Sequence, residues 1–307
     1  MDLNYKKYLI EPEDLKTLLN ESKEKLSKIR ILDGTSYPPT VKKNRNESFK
    51  EKRIIYSQLY DIDKIADTSI NLPHMMPTNE IFIENMKKMD IRLSDEIIIY
   101  DRIPLFGAPR VLYTFLIFGH KNIKILNGGF SSFEKINGQF ELNDNYNINE
   151  INKLREKSKD EDYNYKLDKS KIIDLKGIVK ISNSKMENDE IIDARSEERY
   201  EGKLQEPRQS LRIGHIKNAK CVFFKHLIDE NGKYFNKEKL KNIFESKGIN
   251  LNKKRIICSC GSGLTACIDL VGLILIGLFD KCCLYDGSWS EYGNVSLEDI
   301  EKIAKEN

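Results

Sequence analysis

One cysteine in the last third of the chain stands in a turn whose residues could stabilise a thiolate. Cys260 follows the apolar run Arg255–Ser259 and opens the sequence Cys-Gly-Ser-Gly-Leu-Thr, which ends at Thr265. Gly261 and Gly263 allow successive backbone N–H groups to converge on one point, and such donors at a helix N-terminus bind anions. We expect such a turn to stabilise a thiolate and so to make it available as a nucleophile. Cys260 is therefore the candidate nucleophile.

The remaining cysteines are interpreted as reduced, small hydrophobic residues of the core. The chain has no Cys-x-x-Cys motif and only 4 histidines, so the ligand spacing of a zinc site is absent and we expect no metal. An inert core cysteine is also the alternative for Cys260. Such a residue does not require a glycine-rich turn between a strand and a helix. The other cysteines are Cys221, Cys258, Cys267, Cys282 and Cys283.

Two stretches of the chain repeat one order of elements around such a turn. In the first, Asp101 ends an apolar run and precedes a helical stretch over 108–118, the strand-like Ile123–Leu126 and Asn127. In the second, Cys260 precedes a helical stretch over 264–278, the strand-like Cys282–Tyr285 and then an aspartate at 286. In both stretches, the residue that follows the first strand lies 26 positions before the residue that follows the second strand. The two stretches therefore predict two copies of one α/β unit.

Short apolar strands that alternate with helices predict the fold class. They are typical of α/β proteins in which each domain has a central, mostly parallel sheet with helices on both faces. The length of 307 residues fits about two such domains. We expect an N-terminal domain over 1–142, a polar linker over 143–171 and a C-terminal domain over 172–307.

Composition excludes several classes of protein. The chain has 51 basic and 48 acidic residues, so it lacks the basic excess of most nucleic-acid-binding proteins. A hydrophobic fraction of 39% excludes wholesale disorder. The longest apolar run, 266–279, is shorter than the roughly 20 residues that a bilayer requires and predicts a buried helix. With no signal or transit pattern at the N-terminus, we expect a soluble cytoplasmic protein without a membrane or direct nucleic-acid partner.

Around the candidate nucleophile the chain resembles the tandem-domain rhodanese-type sulfurtransferases, specifically their 3-mercaptopyruvate sulfurtransferase branch. The loop 260–266 is similar to the active-site loop of that family. The resemblance extends from about residue 9 to residue 292 and implies two rhodanese-like domains, the second catalytic and the first an inactive copy with Asp101 in place of the nucleophile. Further segments that match in order and spacing are Asp193-Ala-Arg195, Arg199-Tyr, Glu206-Pro-Arg208, Gly214-His-Ile216 and Tyr285-Asp-Gly-Ser-Trp289.

The resemblance also implies a donor-binding site. Arg199 and Arg208 match residues that bind the carboxylate and the carbonyl oxygen of 3-mercaptopyruvate, and a guanidinium group suits a planar carboxylate. The alternative is a surface salt bridge with a neighbouring glutamate. The loop that would hold the outer sulfur of a persulfide consists of Gly261, Ser262, Gly263, Leu264 and Thr265, with Leu264 in place of the more usual valine.

A proton relay is implied by two segments of the first copy. Asp61-Ile-Asp63 and Leu72-Pro-His74-Met-Met-Pro77 resemble the part of the family that places an aspartate and a histidine beside the reactive loop. Ser262, His74 and Asp63 would then form a Ser-His-Asp relay across the domain interface. The alternative is that His74 caps a loop or packs against the methionines.

The implied reaction moves sulfur from 3-mercaptopyruvate through a Cys260 persulfide to a thiol such as thioredoxin or glutathione, or to cyanide, without a cofactor. Family members that prefer thiosulfate have basic residues after the cysteine, whereas 261–265 is uncharged. A thiosulfate:cyanide sulfurtransferase is one alternative, and a persulfide relay to a protein partner such as a tRNA-thiolation enzyme is another. A Cys-x5-Arg phosphatase is disfavoured because Ala266 stands where the arginine would be.

Overall fold

The chain divides into two units, each with its own sheet. The computed structural model describes residues 3–38, 40–103, 105–143, 146–208 and 210–305. The first unit contains Met1–Ala66, Pro77–Leu167 and Glu230–Tyr234. The second unit contains Asp67–Met76, Asp168–Asp229 and Phe235–Asn307. Each unit therefore includes a short segment from the other half of the chain.

A five-stranded parallel sheet forms the centre of the first unit. The strands of this unit are β1 (Leu9–Ile10), β2 (Ile29–Asp33), β3 (Lys52–Ile54), β4 (Ser57–Leu59), β5 (Glu96–Tyr100), β6 (Ile123–Leu126) and β7 (Phe140–Leu142). Of these, β3 and β7 form a separate antiparallel pair. The five strands of the parallel sheet lie in the order β1-β6-β5-β2-β4. Ile97, Ile98 and Ile99 of the central strand are fully buried, as is typical of a parallel strand covered on both faces.

The helices of the first unit pack around this sheet. Every residue of the helix that follows the central strand is buried, so that helix is apolar all round. The helices are α1 (Leu3–Tyr8), α2 (Pro12–Leu18), α3 (Lys23–Leu26), α4 (Arg45–Glu51), α5 (Asn79–Met89), α6 (Ala108–Ile117), α7 (Gly129–Lys135) and α8 (Ile148–Asn152).

The second unit repeats this topology. Its strands are β8 (Ile172–Ile173), β9 (Asp189–Asp193), β10 (Lys220–Cys221), β11 (Arg255–Ser259) and β12 (Cys282–Tyr285), in the order β10-β9-β11-β12-β8, with every neighbouring pair parallel. Counted along the chain within each sheet, the strands lie in the same order, 1-5-4-2-3, in both units. The predicted fold class, two α/β domains with mostly parallel sheets, is confirmed.

The helix that follows the central strand is again completely buried in the second unit. The helices of this unit are α9 (Leu175–Ser182), α10 (Glu197–Tyr200), α11 (Lys237–Ser246), α12 (Ala266–Leu275), α13 (Ser288–Tyr292) and α14 (Leu297–Lys305). All residues of α12 are buried, as the apolar run 266–279 predicted. In the described part of the chain, no helix combines the length and the apolar character needed to cross a bilayer.

The polar stretch 143–171 is largely part of the first unit. Apart from residues 144 and 145, which lie outside the described residues, it contains α8 and two buried tyrosines. The Tyr165 hydroxyl donates to the Ile91 carbonyl at 3.2 Å and lies 3.3 Å from Nδ1 of the buried His120. The polar composition of this stretch predicts a linker, whereas its few aromatic side chains anchor it to the unit as far as Leu167.

Candidate active site

The candidate nucleophile lies at the carboxyl end of the central strand of the second unit. Cys260 directly follows β11 and is 2% exposed. Ser259 pairs in register with Asp193, the last residue of β9. Since the carboxyl ends of parallel strands share one edge of the sheet, residues after β9 and after β11 can act on the same substrate.

Hydrogen bonds from one neighbouring turn hold the start of the reactive loop. The Cys260 N–H donates to Ser288 Oγ at 3.1 Å. The N–H groups of Trp289 and Ser290 donate to the carbonyl oxygens of Cys260 and Gly261, each at 2.9 Å. The start of α13 therefore fixes the backbone on which the cysteine sits. Gly263 has a φ of 78°, a conformation that favours glycine.

The structure brings both predicted arginines to this loop. A Cβ atom built on Gly261 would lie 3.1 Å from Arg199 Nη2 and 3.9 Å from Arg208 Nη1, so glycine is what permits their approach. Burial lowers the pKa of Arg208, and the charge of the Cys260 sulfur opposes that shift. Two cationic groups thus lie beside a potential thiolate.

Arg199 also forms the salt bridge that the sequence offered as an alternative to substrate binding. Its Nε donates to Glu206 Oε1 at 3.3 Å, and Nη2 pairs with Oε2. The Glu206 side chain is only 2% exposed and also accepts from Arg195 Nη1 at 2.8 Å. Arg195 is buried and pairs with Asp193. This is a buried network that orients Arg199 toward the loop, not a solvated surface pair.

Sequence reasoning missed the part played by Glu206 and Arg195. Both were noted only as members of matched segments or as competitors for Arg199. The sequence did contain a signal for the role of Glu206, which is its closeness to both arginines: it lies two residues before Arg208 and seven residues after Arg199. The spacing alone does not reveal that the carboxylate is buried, since that depends on Arg195 reaching it from the end of β9.

The residues of the predicted relay fall in both units. Ser262 is buried in the reactive loop. His74 precedes the predicted domain boundary but belongs to the segment Asp67–Met76 of the second unit. Asp63 belongs to the first unit, where its carboxylate pairs with Arg45. The relay stays a prediction.

The equivalent loop of the first unit shows which backbone groups can hold an anion. Residues in corresponding places differ by 159 positions, so Asp101 corresponds to Cys260. The Asp101 carboxylate accepts the Leu105 N–H at 3.2 Å and the N–H groups of Gly107 and Ala108 at 3.1 and 3.0 Å. This turn is an anion-binding nest filled by its own side chain. The corresponding positions around the cysteine are Leu264, Ala266 and Cys267, but the Cys267 N–H donates to the Leu264 carbonyl at 3.0 Å, so the match is to the N–H groups of Leu264 and Ala266.

Four of the other cysteines lie where a thiolate is unfavourable. All six cysteines are free of disulfides. Burial raises the pKa of Cys221 and Cys283 to about 12, and it raises the pKa of Cys258 and Cys282 as well. Within the described ranges, no group of three or more His, Cys, Asp or Glu side chains is placed to hold a metal ion.

Comparison with known proteins gives one family and close structural counterparts. Residues 180–294 match the model of the rhodanese-like domain. A probable 3-mercaptopyruvate sulfurtransferase from Schizosaccharomyces pombe is 32% identical over 292 residues, which cover 94% of this chain and 95% of that protein. Thiosulfate/3-mercaptopyruvate sulfurtransferase 1 from Arabidopsis thaliana is 31% identical, over 90% of this chain and 74% of that protein.

Solved structures agree over both units. The Tum1 protein from Saccharomyces cerevisiae has a TM-score of 0.79 and 26% identity, and the match covers 93% of this chain and 94% of that one. SseA from Escherichia coli, described as a 3-mercaptopyruvate sulfotransferase of rhodanese fold, has a TM-score of 0.76 and 26% identity, with 92% and 99% covered. The whole chain therefore shares its architecture with such proteins.

One buried carboxyl group behind the reactive loop has a clear consequence for stability. Asp269 on α12 is fully buried, and neither carboxyl oxygen has a hydrogen-bond partner among the residues that the structure describes. Burial raises its pKa well above the ordinary value, and the nearby Cys260 and Asp193 raise it further. The folded chain therefore keeps this proton at pH values where the unfolded chain has lost it.

We predict that Asp269→Leu increases stability by an amount that grows with pH. As the pH rises above the unfolded pKa of about 4, the wild type loses up to about 1.4 kcal/mol of unfolding free energy per pH unit through this group, until the folded pKa is reached. The leucine variant lacks this loss. Urea denaturation of both proteins at pH 5, 6 and 7 measures the difference. A stability difference that does not change with pH would contradict the prediction.

Proposed function

Because the chain belongs to the family of rhodanese-type 3-mercaptopyruvate sulfurtransferases, we propose that it moves sulfur from 3-mercaptopyruvate through a Cys260 persulfide to an acceptor thiol. The chain is a sulfurtransferase, and the donor, intermediate and acceptor are the proposal. The observation that carries it is the approach of Arg199 and Arg208 to the reactive loop at Gly261. A nucleophilic sulfur beside two guanidinium groups suits a donor that carries both a thiol and a carboxylate.

The charge of the site supports a donor with one negative charge. Three arginines and two carboxylates make up the network beside the loop, which leaves one net positive charge before Cys260 ionises. The Cys260 thiolate neutralises this charge, so a donor with a single carboxylate adds one uncompensated negative charge. Thiosulfate is a dianion and would add two, which is less favourable in a partly buried site. The residues of this network are Asp193, Arg195, Arg199, Glu206 and Arg208.

In the first half-reaction, the Cys260 thiolate attacks the sulfur of 3-mercaptopyruvate. A new S–S bond forms, the C–S bond of the donor breaks, and its electron pair passes to the enolate of pyruvate. Arg199 and Arg208 stabilise the enolate oxygen and the carboxylate as charge develops. A proton then converts the enolate to pyruvate, and Cys260 remains as a persulfide.

The proposed relay supplies that proton. His74 would donate it, with Ser262 as the connecting hydroxyl and Asp63 orienting the imidazole. Backbone N–H groups of the loop 261–265 would stabilise the anionic outer sulfur, together with that of Ala266. The nest around Asp101 supports this, because the Asp101 carboxyl group accepts the corresponding N–H groups of Leu105 and Gly107 there.

In the second half-reaction, an acceptor attacks the outer sulfur and releases the Cys260 thiolate. Thioredoxin, glutathione and cyanide all provide the nucleophile that this step requires. The first unit is proposed to be inactive, since the Asp101 carboxylate cannot form a persulfide. Thiosulfate is the alternative donor, because two relatives from Arabidopsis thaliana are named for both donors.

Replacing the nucleophile tests the persulfide directly. Cys260→Ser is expected to fold and to lose sulfur transfer by at least about 10³-fold, because a neutral hydroxyl is a far weaker nucleophile toward sulfur. Cys267→Ser, in the first turn of the helix α12 that follows the loop, is the matched control and should keep most activity. Mass spectrometry after incubation with 3-mercaptopyruvate should find one added sulfur on the Cys260 peptide of the control. Persulfide formation by Cys260→Ser would refute the assignment.

The charge argument predicts the preferred donor. We expect kcat/KM for 3-mercaptopyruvate to exceed that for thiosulfate by at least about tenfold, or roughly 1.4 kcal/mol. Glu206→Gln removes one negative charge and should shift the ratio toward thiosulfate. Glu201→Gln, at an exposed position nearby, should leave the ratio unchanged. Steady-state kinetics with both donors decide this, and a wild type that prefers thiosulfate would overturn the choice of donor.

Removal of the imidazole tests the relay. His74→Ala should lower kcat by about 10²-fold and change KM little, because a proton donor acts mainly in the transition state. Asp63→Asn should have a milder effect, since Asp63 would only orient the imidazole. The measurement is steady-state kinetics with 3-mercaptopyruvate at one pH, with folding checked by circular dichroism. A His74→Ala variant with wild-type kcat would eliminate the relay.

A further inference from the structure

Each unit holds a segment from the other half of the chain by the same kind of hydrogen bond. In the second unit, the Met76 N–H donates to Asp286 Oδ2 at 2.5 Å. In the first unit, the Tyr234 N–H donates to Asn127 Oδ1 at 3.1 Å. The acceptors are 159 positions apart, the interval that relates Asp101 to Cys260. The side chain at this position of the repeated fold therefore accepts a backbone N–H of the held segment in both units.

The two acceptors share their surroundings as well as their position. Asn127 directly follows β6 and Asp286 directly follows β12, the strands next to the central strand of each sheet. Both side chains are buried. They differ in charge: the first is a neutral amide and the second a carboxylate, which makes a stronger hydrogen bond to a backbone N–H.

The held segments share an unusual backbone conformation. Two residues before the bonded N–H, the chain is left-handed in both segments, with a φ of 74° at Gly232 and 59° at His74. Glycine adopts this conformation without strain, whereas a residue with a Cβ atom does so at a cost. Strained residues persist only where the surroundings hold them, and they concentrate at functional sites. The second unit thus presents an imidazole where the first unit has no side chain.

The turn that contains Asp286 also holds the nucleophile. Ser288, two residues further on, accepts the Cys260 N–H, and Trp289 donates to the Cys260 carbonyl. The segment 67–76 is closed on itself by the Asp67 N–H, which donates to the Met75 carbonyl at 3.2 Å. A single turn of the second unit is therefore bonded both to the reactive loop and to the segment that carries His74.

We propose that Asp286 is a positioning residue for sulfur transfer: its carboxylate fixes the segment 67–76 so that His74 is held ready for proton transfer. Asp286 acts through the backbone of Met76 and does not touch the donor. The catalytic part of this inference rests on the proposed role of His74, whereas the structural part rests on the hydrogen bond alone.

The full-length protein offers a matched control for the test. Asp286→Ala removes the acceptor for the segment 67–76, and Asn127→Ala removes the corresponding acceptor for the segment 230–234. Asp286→Asn keeps an acceptor oxygen at the same place. Should Asp286→Ala not fold, Met76→Pro removes the same hydrogen bond from the donor side. Hydrogen exchange resolved by mass spectrometry and steady-state kinetics with 3-mercaptopyruvate are measured for each variant.

Asp286→Ala is expected to speed amide exchange in the segment 67–76 by at least about tenfold and to lower kcat about tenfold with KM within about twofold. Asp286→Asn should restore most of both. Asn127→Ala should speed exchange only in the segment 230–234 and leave kcat near wild type. In a His74→Ala background, Asp286→Ala should lower kcat no further, because the residue it positions is gone.

Different results would overturn the inference and the proposed relay. If amide exchange in the segment 67–76 is the same in Asp286→Ala as in the wild type, the inference that Asp286 fixes this segment is refuted, whatever the role of His74. An equal loss of kcat from Asp286→Ala with and without His74 would show that Asp286 acts by another route and would overturn the inference. A wild-type kcat for His74→Ala alone would instead refute the relay, while the exchange measurement would still decide whether Asp286 holds the segment.

Discussion

The turn from a buried parallel strand into a buried helix leaves backbone N–H groups that require a hydrogen-bond acceptor. Both units contain this turn, and each meets the requirement differently. In the first unit the Asp101 carboxylate accepts three N–H groups and fills the turn. In the second unit the corresponding residue is Cys260, the proposed nucleophile. The candidate active site is thus the copy of a structural motif in which a cysteine stands where the first unit has a buried carboxyl group.

The charges around the cysteine follow from the same constraint. An anionic sulfur in a buried turn requires nearby cations, and Arg199 and Arg208 provide them at Gly261. Cations held in a partly buried place require partners of their own, and Glu206 and Arg195 complete that network below the loop. With the sulfur anionic, the three arginines are balanced by three negative groups, and the arginines are oriented before a donor arrives.

Local patterns predicted the elements that carry the nucleophile. Apolar runs defined Ile123–Leu126 and Cys282–Tyr285 with their observed bounds. The helix predicted over 264–278 is shorter, Ala266–Leu275, because its first two residues belong to the anion-binding turn and the chain leaves the helix before Gly277, which has a φ of 94°. Elements of this kind are fixed by neighbours in sequence, and their pattern is visible there.

Features that depend on distant residues could not be predicted in this way. The hydrogen bond between Met76 and Asp286 joins residues that are 210 positions apart, and no local sequence pattern predicts it. The burial of Glu206 depends on Arg195, at the end of a different strand. The buried Tyr163 and Tyr165 outweigh the polar composition of the stretch 143–171. The positions of Arg199 and Arg208 at the loop were anticipated only through the resemblance to a family, since their residue types alone fit a surface salt bridge equally well.

The reciprocal insertion of short segments affects how the chain can be made. The parallel sheet of the first unit is complete once β6 has been synthesised, but the unit also includes Glu230–Tyr234, which follows about half of the second unit in the chain. When Leu167 has emerged from the ribosome, the first unit therefore still lacks its last segment, and the Tyr234 N–H that donates to Asn127 has not yet been made. The second unit has the opposite relation, because its inserted segment emerges well before the rest of it. Final folding of the two units is consequently coupled in time, and neither half of the gene encodes a complete unit.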